Sequence, residues 1–124
     1  MTEVKNFTDL RVWQKALSFK LSVYRLTEKF PDSEKFVLTS QIRRAVISIT
    51  ANIAEGYGRF SYKDHIHFLI QARGSLYETY DHLIAAYKLK YITKSDFVIL
   101  KRNFYDLIKV LNGYIKFIRS KIIN

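Results

Sequence analysis

An all-α fold, an antiparallel up-and-down four-helix bundle, is what this 124-residue sequence predicts. Three observations point there. Punctuation is thin, with one Pro and four Gly in the whole chain, which suits long helices joined by short turns. Apolar residues recur at spacings of three and four through four long segments, and no strand-like alternation survives. The segment boundaries carry stop or cap signals. Helices of this kind bury their apolar faces against one another as a bundle. Residues 1–124 are read as one domain, large enough to bury a core without disulfides or metals.

The first helix is expected from about Asp9 to Lys29, where Pro31 ends it. Leu10, Trp13, Leu17, Leu21 and Tyr24 form one apolar row, and Val12, Ala16, Phe19, Val23 and Leu26 another. The second helix is expected to take Asp32 or Ser33 as its cap and to end near Tyr57. Leu38, Ile42, Ala45, Val46, Ile49 and Ile53 face its core, and Gly56 and Gly58 are expected to stop it through the left-handed conformation. Ser61, with Asp64 three residues on, caps the third helix, and Thr93 with Asp96 caps the fourth.

The third helix has an apolar surplus. His65, Phe68, Leu69, Ala72, Leu76, Thr79 and Leu83 make its core face. Ile66, Ile70, Tyr77 and Ile84 make a second stripe, interrupted by Arg73. That arc is wider than a surface helix needs, so the second stripe is read as a subunit interface. Gly74, in mid-helix, costs about 1 kcal/mol relative to Ala, which makes sense if another backbone approaches there.

The second helix carries an unusual polar stripe: Gln41, Arg44, Ser48, Asn52 and Glu55 lie beside the apolar seam. One reading is a buried hydrogen-bond network fixing register or subunit contact, with Arg44 paired to Glu78 or Glu55. The other is a small-ligand or catalytic site. Arg and Glu beside a seam are usually paired for structure, so the structural reading is favoured.

Enzymatic constellations are missing. Gly56-Tyr57-Gly58 follows a helix instead of preceding one, and lacks the Lys of a phosphate-binding loop. His65 and His67 are two apart and point in different directions. Glu78 and His82 are four apart and could touch one ion, but the further carboxylates and second Glu-x-x-His pair of a di-metal bundle are absent. His82 is therefore read as a surface or interface residue. Ser48 and Ser75 have no His at a spacing that suggests a triad. No catalytic residue, metal or cofactor is expected.

The net charge of +10, from 21 Lys and Arg against 11 Asp and Glu, favours a polyanionic partner. The excess is concentrated in residues 86–124, where nine Lys or Arg meet two Asp, a net of +7. Lys94, Lys101, Arg102, Lys109, Lys116 and Arg119 fall on one face of the fourth helix, with Tyr105 and Asn112 among them and no acid. Phe97, Leu100, Phe104, Leu107, Leu111, Ile115 and Ile118 occupy the opposite face. A solvated face normally mixes signs in pairs. One free of acid, about 38 Å long, is a track for phosphates. Arg11, Lys15, Arg25 and Lys29 repeat the theme on the first helix. Arg59, Ser61 and Lys63 surround a helix N-terminus that could hold one phosphate, though capping explains that turn almost as well. Cys is absent, no apolar leader opens the sequence, and no stretch reaches the roughly 20 apolar residues of a membrane span. A cytoplasmic protein without a membrane partner is expected.

Several stretches are also family-like. Phe7-Thr8-Asp9-Leu10 with Val12-Trp13-Gln14-Lys15-Ala16 form the opening, and Phe30-Pro31 with Glu34 and Leu38 the first turn. The most specific wording is Gln41-Ile42-Arg43-Arg44-Ala45, Ser48-Ile49, Asn52-Ile53-Ala54-Glu55-Gly56 and Gly58-Arg59. Phe68-Leu69, Ala72, Gly74-Ser75-Leu76 and Glu78 follow in the third helix. In these the chain resembles the four helix bundle proteins associated with intervening sequences of the bacterial large-subunit rRNA. The resemblance implies a four-helix bundle assembling as a homopentamer. The same family includes the accessory protein of diversity-generating retroelements, a basic protein that binds nucleic acid and partners a reverse transcriptase. The expected function is thus a basic oligomer binding RNA or DNA through phosphates, with a reverse transcriptase or a ribosomal component as further partner. The alternative is an oligomeric scaffold for another protein.

Overall fold

The structure, a computed structural model, describes residues 3–122. Four helices, α1 (Arg11–Thr27), α2 (Leu38–Tyr57), α3 (Tyr62–Lys88) and α4 (Lys94–Arg119), form the bundle, and among the described residues there is no strand. Each helix packs on its chain neighbours, and α1 also closes on α4. Short turns between neighbours make the arrangement antiparallel, as expected. No helix among the described residues is long and apolar enough to cross a membrane.

The core is one cluster. Val12, Ala16, Phe19, Val23 and Leu26 of α1 meet Ile42, Val46, Ile49 and Ile53 of α2, with the core rows of α3 and α4 completing it. Burying each large side chain stabilises the fold by about 1.5–3 kcal/mol before the entropy of ordering is set against it. The other apolar row of α1 lies on its flank: Trp13, Leu17 and Tyr24 are half-buried and Leu21 is exposed.

The helix ends differ from expectation in instructive ways. Before α1, Asn6 caps a single 3-10 turn, Phe7–Asp9, and the Asp9 carboxylate accepts from the Asn6 and Lys5 amides. Leu10 is then extended, so α1 proper starts at Arg11. Neither Asp32 nor Ser33 caps α2. They belong to another 3-10 turn, Asp32–Glu34, and α2 begins at Leu38 after Val37, which offers no side-chain cap. Glu34 holds this turn in place by accepting from the Tyr91 hydroxyl at 3.2 Å. Ser61 and Thr93 do cap α3 and α4, accepting from the amides of Asp64 and Asp96.

The glycine reading of the α2 end is corrected. Gly58 has φ −77 and no described glycine has positive φ. Gly56 is instead buried at a close helix approach, where an added Cβ would lie 3.0 Å from both Cδ2 and the carbonyl oxygen of His65. The left-handed residue is Lys90, φ 65, just past α3. There Tyr91 N donates to the Ala86 carbonyl and Lys90 N to that of Tyr87, the paired bonds of a Schellman end.

Candidate nucleic-acid interface

The α4 cations stand where helical spacing put them. Lys94, Lys101, Arg102, Lys109, Lys116 and Arg119 are all exposed, and none forms an ion pair among the described residues. The opposite face is anchored in the core through Leu100, Phe104, Leu107, Leu111, Ile115 and Ile118. The helix therefore cannot rotate its cations away. Asn112, on the cationic face, accepts from Arg73 of α3 at 3.1 Å, so a further cation from the neighbouring helix joins the edge.

On the other edge, α1 adds Arg11 and Lys15. They line a groove of about 590 Å³ together with Lys109, Val110 and Gly113 of α4. The groove also contains Asp106, which corrects the picture of a wholly acid-free surface. At about 100° per residue, Asp106 sits only about 40° beyond Arg102, so one carboxylate borders the cationic face and offsets part of its charge. Arg25 of α1 and Lys29 just past its end are committed locally. Lys29 pairs with Asp96 at 2.8 Å, which pulls the Asp96 carboxyl below its ordinary range. Arg25 reaches Ser22 at 3.4 Å.

Arg59, at the α2–α3 turn, is also engaged. It pairs with Glu55 at 2.6 Å and lies 4.6 Å from the centre of the Phe68 ring. Capping and this local pairing account for the turn.

The polar stripe of α2 contracts to its middle. Ser75 Oγ of α3 donates to Ser48 Oγ at 2.8 Å, and Asn52 Nδ2 donates to Ser48 Oγ and to the Ser48 carbonyl, each at 2.8 Å. These three half-buried residues bridge the α2–α3 seam. The expected pairing of Arg44 with Glu78 or Glu55 is absent among the described residues. Arg44 and Gln41 are exposed, Glu55 turns to Arg59, and exposed Glu78 lies 3.7 Å from His82. The reason is angular: Arg44 and Glu55 are rotated about 40° and 20° from Ser48 around the helix, toward solvent.

The second stripe of α3 divides. Ile66, expected at an interface, is 8% exposed and belongs to the core cluster. Ile70, Tyr77 and Ile84 are exposed, at 40%, 54% and 36%. Around Gly74 nothing lies within 4 Å of an added Cβ, so among the described residues no other segment packs against that side of its backbone.

Two constellations escaped the sequence. Arg43 donates to Thr27 Oγ1 at 2.9 Å and lies 4.9 Å from the centre of the Tyr24 ring, tying α2 to α1. Lys20 donates to Thr50 Oγ1 at 3.1 Å across the same seam. Cation and hydroxyl recur across these two helices, but single positions give no sign of which will meet. The other cluster is His65, edge-on to Tyr57 and Tyr114 at centroid distances of 6.4 and 5.5 Å. Its Nε2 is buried and has no hydrogen-bond partner among the described residues, and burial lowers its pKa. Burial, with the nearby Tyr57, pushes Tyr114 up to about 12. Among the described residues no three His, Asp or Glu gather as a metal site.

The comparisons with known proteins agree with this architecture. A family model described as 23S rRNA-intervening sequence protein matches residues 8–113. A crystal structure from Bacteroides thetaiotaomicron VPI-5482, described as a protein with unknown function from the S23 ribosomal protein family, superposes with a TM-score of 0.74 at 29% identity. The match covers 85% of this chain and 98% of that one. No curated protein matches.

Proposed function

Because the chain belongs to the 23S rRNA-intervening sequence protein family, we propose that it is a small basic oligomer that binds RNA or DNA through backbone phosphates and performs no chemistry of its own. The family's name supports an rRNA-related setting; a ribosomal component or, by the resemblance to the retroelement accessory protein, a reverse transcriptase is the proposed further partner, and the cytoplasm the proposed compartment. The observation that carries the binding reading is the α4 face. Six exposed cations over about 38 Å lack carboxylate partners among the described residues. Structural use of a cation normally leaves it paired, as Lys29 is. Phosphate binding uses cations that are rigidly placed and unpaired.

Self-association rests on a second surface. Ile70, Tyr77 and Ile84 expose an apolar row on α3 beside Gly74, whose missing side chain leaves room for a close approach. The proposed assembly is a homo-oligomer, a pentamer by family resemblance, which would multiply the α4 faces on one particle and raise avidity. The same apolar row favours a second reading, an oligomeric scaffold for another protein, in which the charge is incidental.

A fluorescence-anisotropy titration separates them. Structured RNA, single-stranded DNA and duplex DNA are titrated at several salt concentrations. Binding that weakens linearly in log salt supports the phosphate reading. No binding to any of the three near about 100 mM salt, a condition under which phosphate-tracking proteins still bind, favours the scaffold.

A further inference from the structure

Tyr105 stands in the middle of the cationic face. The residue is 54% exposed. Lys101 and Arg102 lie one turn before it and Lys109 one turn after, all three exposed. The ring is braced from behind. Buried Phe104 meets it edge-on at 5.2 Å and Tyr80 of α3 at 6.1 Å, with interplanar angles of 76° and 68°. Phe104 is itself stacked on Tyr80 at 4.2 Å, so the brace reaches into the core. The orientation of the Tyr105 ring is set before any ligand arrives.

Two other outward rings already carry a cation, while the exposed Phe60 and Tyr62 stand at the start of α3 and not on the cationic face of α4. Phe117 carries the Lys121 ammonium 4.7 Å from its centre, and Phe36 carries that of Lys35 at 5.5 Å. Among the described residues no cation covers Tyr105, although three stand one turn away.

A duplex gains little from such a ring, because its bases are stacked inside and it offers this face only phosphates. A single strand offers phosphates and free base faces together, and stacks its bases on exposed aromatic side chains in cationic grooves. We infer that the ligand of this face is a single-stranded polynucleotide, held by its phosphates on Lys101, Arg102 and Lys109 with a base stacked on Tyr105. The inference rests on the phosphate-binding reading above. Stacking is tolerant of base identity, so preference falls on strandedness and not on sequence.

The test uses the full chain and three fluorescent probes with strands of about 12 nucleotides, within the span that stacking grooves cover, the duplex being compared per phosphate. They are a single strand, the same strand with abasic sites throughout, and a duplex. RNA and DNA versions of the single strand are both measured. The single strand should bind about tenfold more tightly than the abasic strand in at least one sugar chemistry, a margin expected of one stacked base. Tyr105→Leu should bring that ratio to one, whereas Tyr105→Phe, which keeps the ring, should preserve it. Equal affinity of the unaltered protein for base-bearing and abasic strands overturns the inference and leaves the phosphate reading standing. So does a Tyr105→Leu protein that keeps the margin, or a duplex that binds as well as the single strand. Absence of binding to every probe overturns the phosphate reading itself.

Discussion

Ser75 of α3 donates a 2.8 Å hydrogen bond to Ser48 of α2, and Asn52 donates to the same Ser48 oxygen. One hydroxyl thus joins two helices at mid-seam. Ser48→Ala removes the shared acceptor and should destabilise the fold by about 1 kcal/mol, read as a shifted urea midpoint. Arg44→Ala, at an exposed and unpaired position one turn away, should stay within about 0.5 kcal/mol. A loss of about 3–5 kcal/mol at Arg44, the mark of a broken buried pair, would mean that assembly buries it.

Charge reversal tests the α4 face. Lys101, Lys109 and Lys116 are exposed and unpaired among the described residues, so their joint replacement by Glu should leave the far-ultraviolet circular dichroism and melting unchanged. Binding to the oligonucleotides should vanish. Replacing one lysine should lower the salt slope by about one.

Ile70→Asp with Tyr77→Asp tests self-association. Both side chains are exposed in the single chain, so the bundle should still fold. A carboxylate trapped at a subunit contact costs several kcal/mol, about 2–7 for an unpaired polar group, so light scattering should report a smaller particle. An unaltered protein that is monomeric at micromolar concentration would sink the proposed assembly. Ile66→Asp, by contrast, should unfold the chain, because Ile66 is in the core.

His65 and Tyr114 make stability depend on pH at the two ends of the range. The folded His65 pKa lies below the ordinary 6.5, so the unfolded chain binds the proton more readily. The associated stability is complete above pH 6.5 and is lost as pH falls toward the folded value. Tyr114 is raised from 10.0 to about 12, so its contribution is complete below pH 10 and is lost across the window up to about 12. Urea midpoints measured across pH should fall on both sides, and His65→Phe should flatten the acid side.

Lys90→Gly should raise stability by about 0.5–1 kcal/mol, since the left-handed position strains a side chain and Gly relieves it at some entropic cost. Thermal melting checks this. A destabilised Lys90→Gly protein would show that the Lys90 side chain holds the α3 end.

The helices were legible because periodicity is a property of single segments, as in the core rows of α1 and α4. What the sequence misjudged depends on relations between segments. Ile66 and Ile70 are equally apolar and one turn apart, yet one is buried and the other exposed, which only the packing of the whole bundle decides. Gly56 and Gly58 both looked like stop signals, yet Gly56 serves the approach of His65 and the left-handed turn falls on Lys90, a residue type with no local preference for it. The caps Ser61 and Thr93 were legible because each bonds within its own first turn. The cationic face was legible from spacing, and so was Asp106 about 40° beyond Arg102; that Asp106 shares a groove with Arg11 and Lys15 depends on where α1 packs.

The bundle's two ends answer to different solution variables. Where α1 turns into α2 and α3 into α4, Lys29 pairs with Asp96 and Glu34 with Tyr91, near the surface. An exposed ion pair is screened by salt. At the other end, buried His65 meets half-buried Tyr57 and Tyr114 in a cluster without an ion pair, one that acid disturbs and salt does not. Amide hydrogen exchange should therefore quicken around residues 28–37 and 90–96 as ionic strength rises, and around residues 57–66 and 112–116 as the medium is mildly acidified. One small helical body has two separately addressable fraying points, and Lys101, Tyr105 and Lys109 lie between them on the stretch that neither loosens.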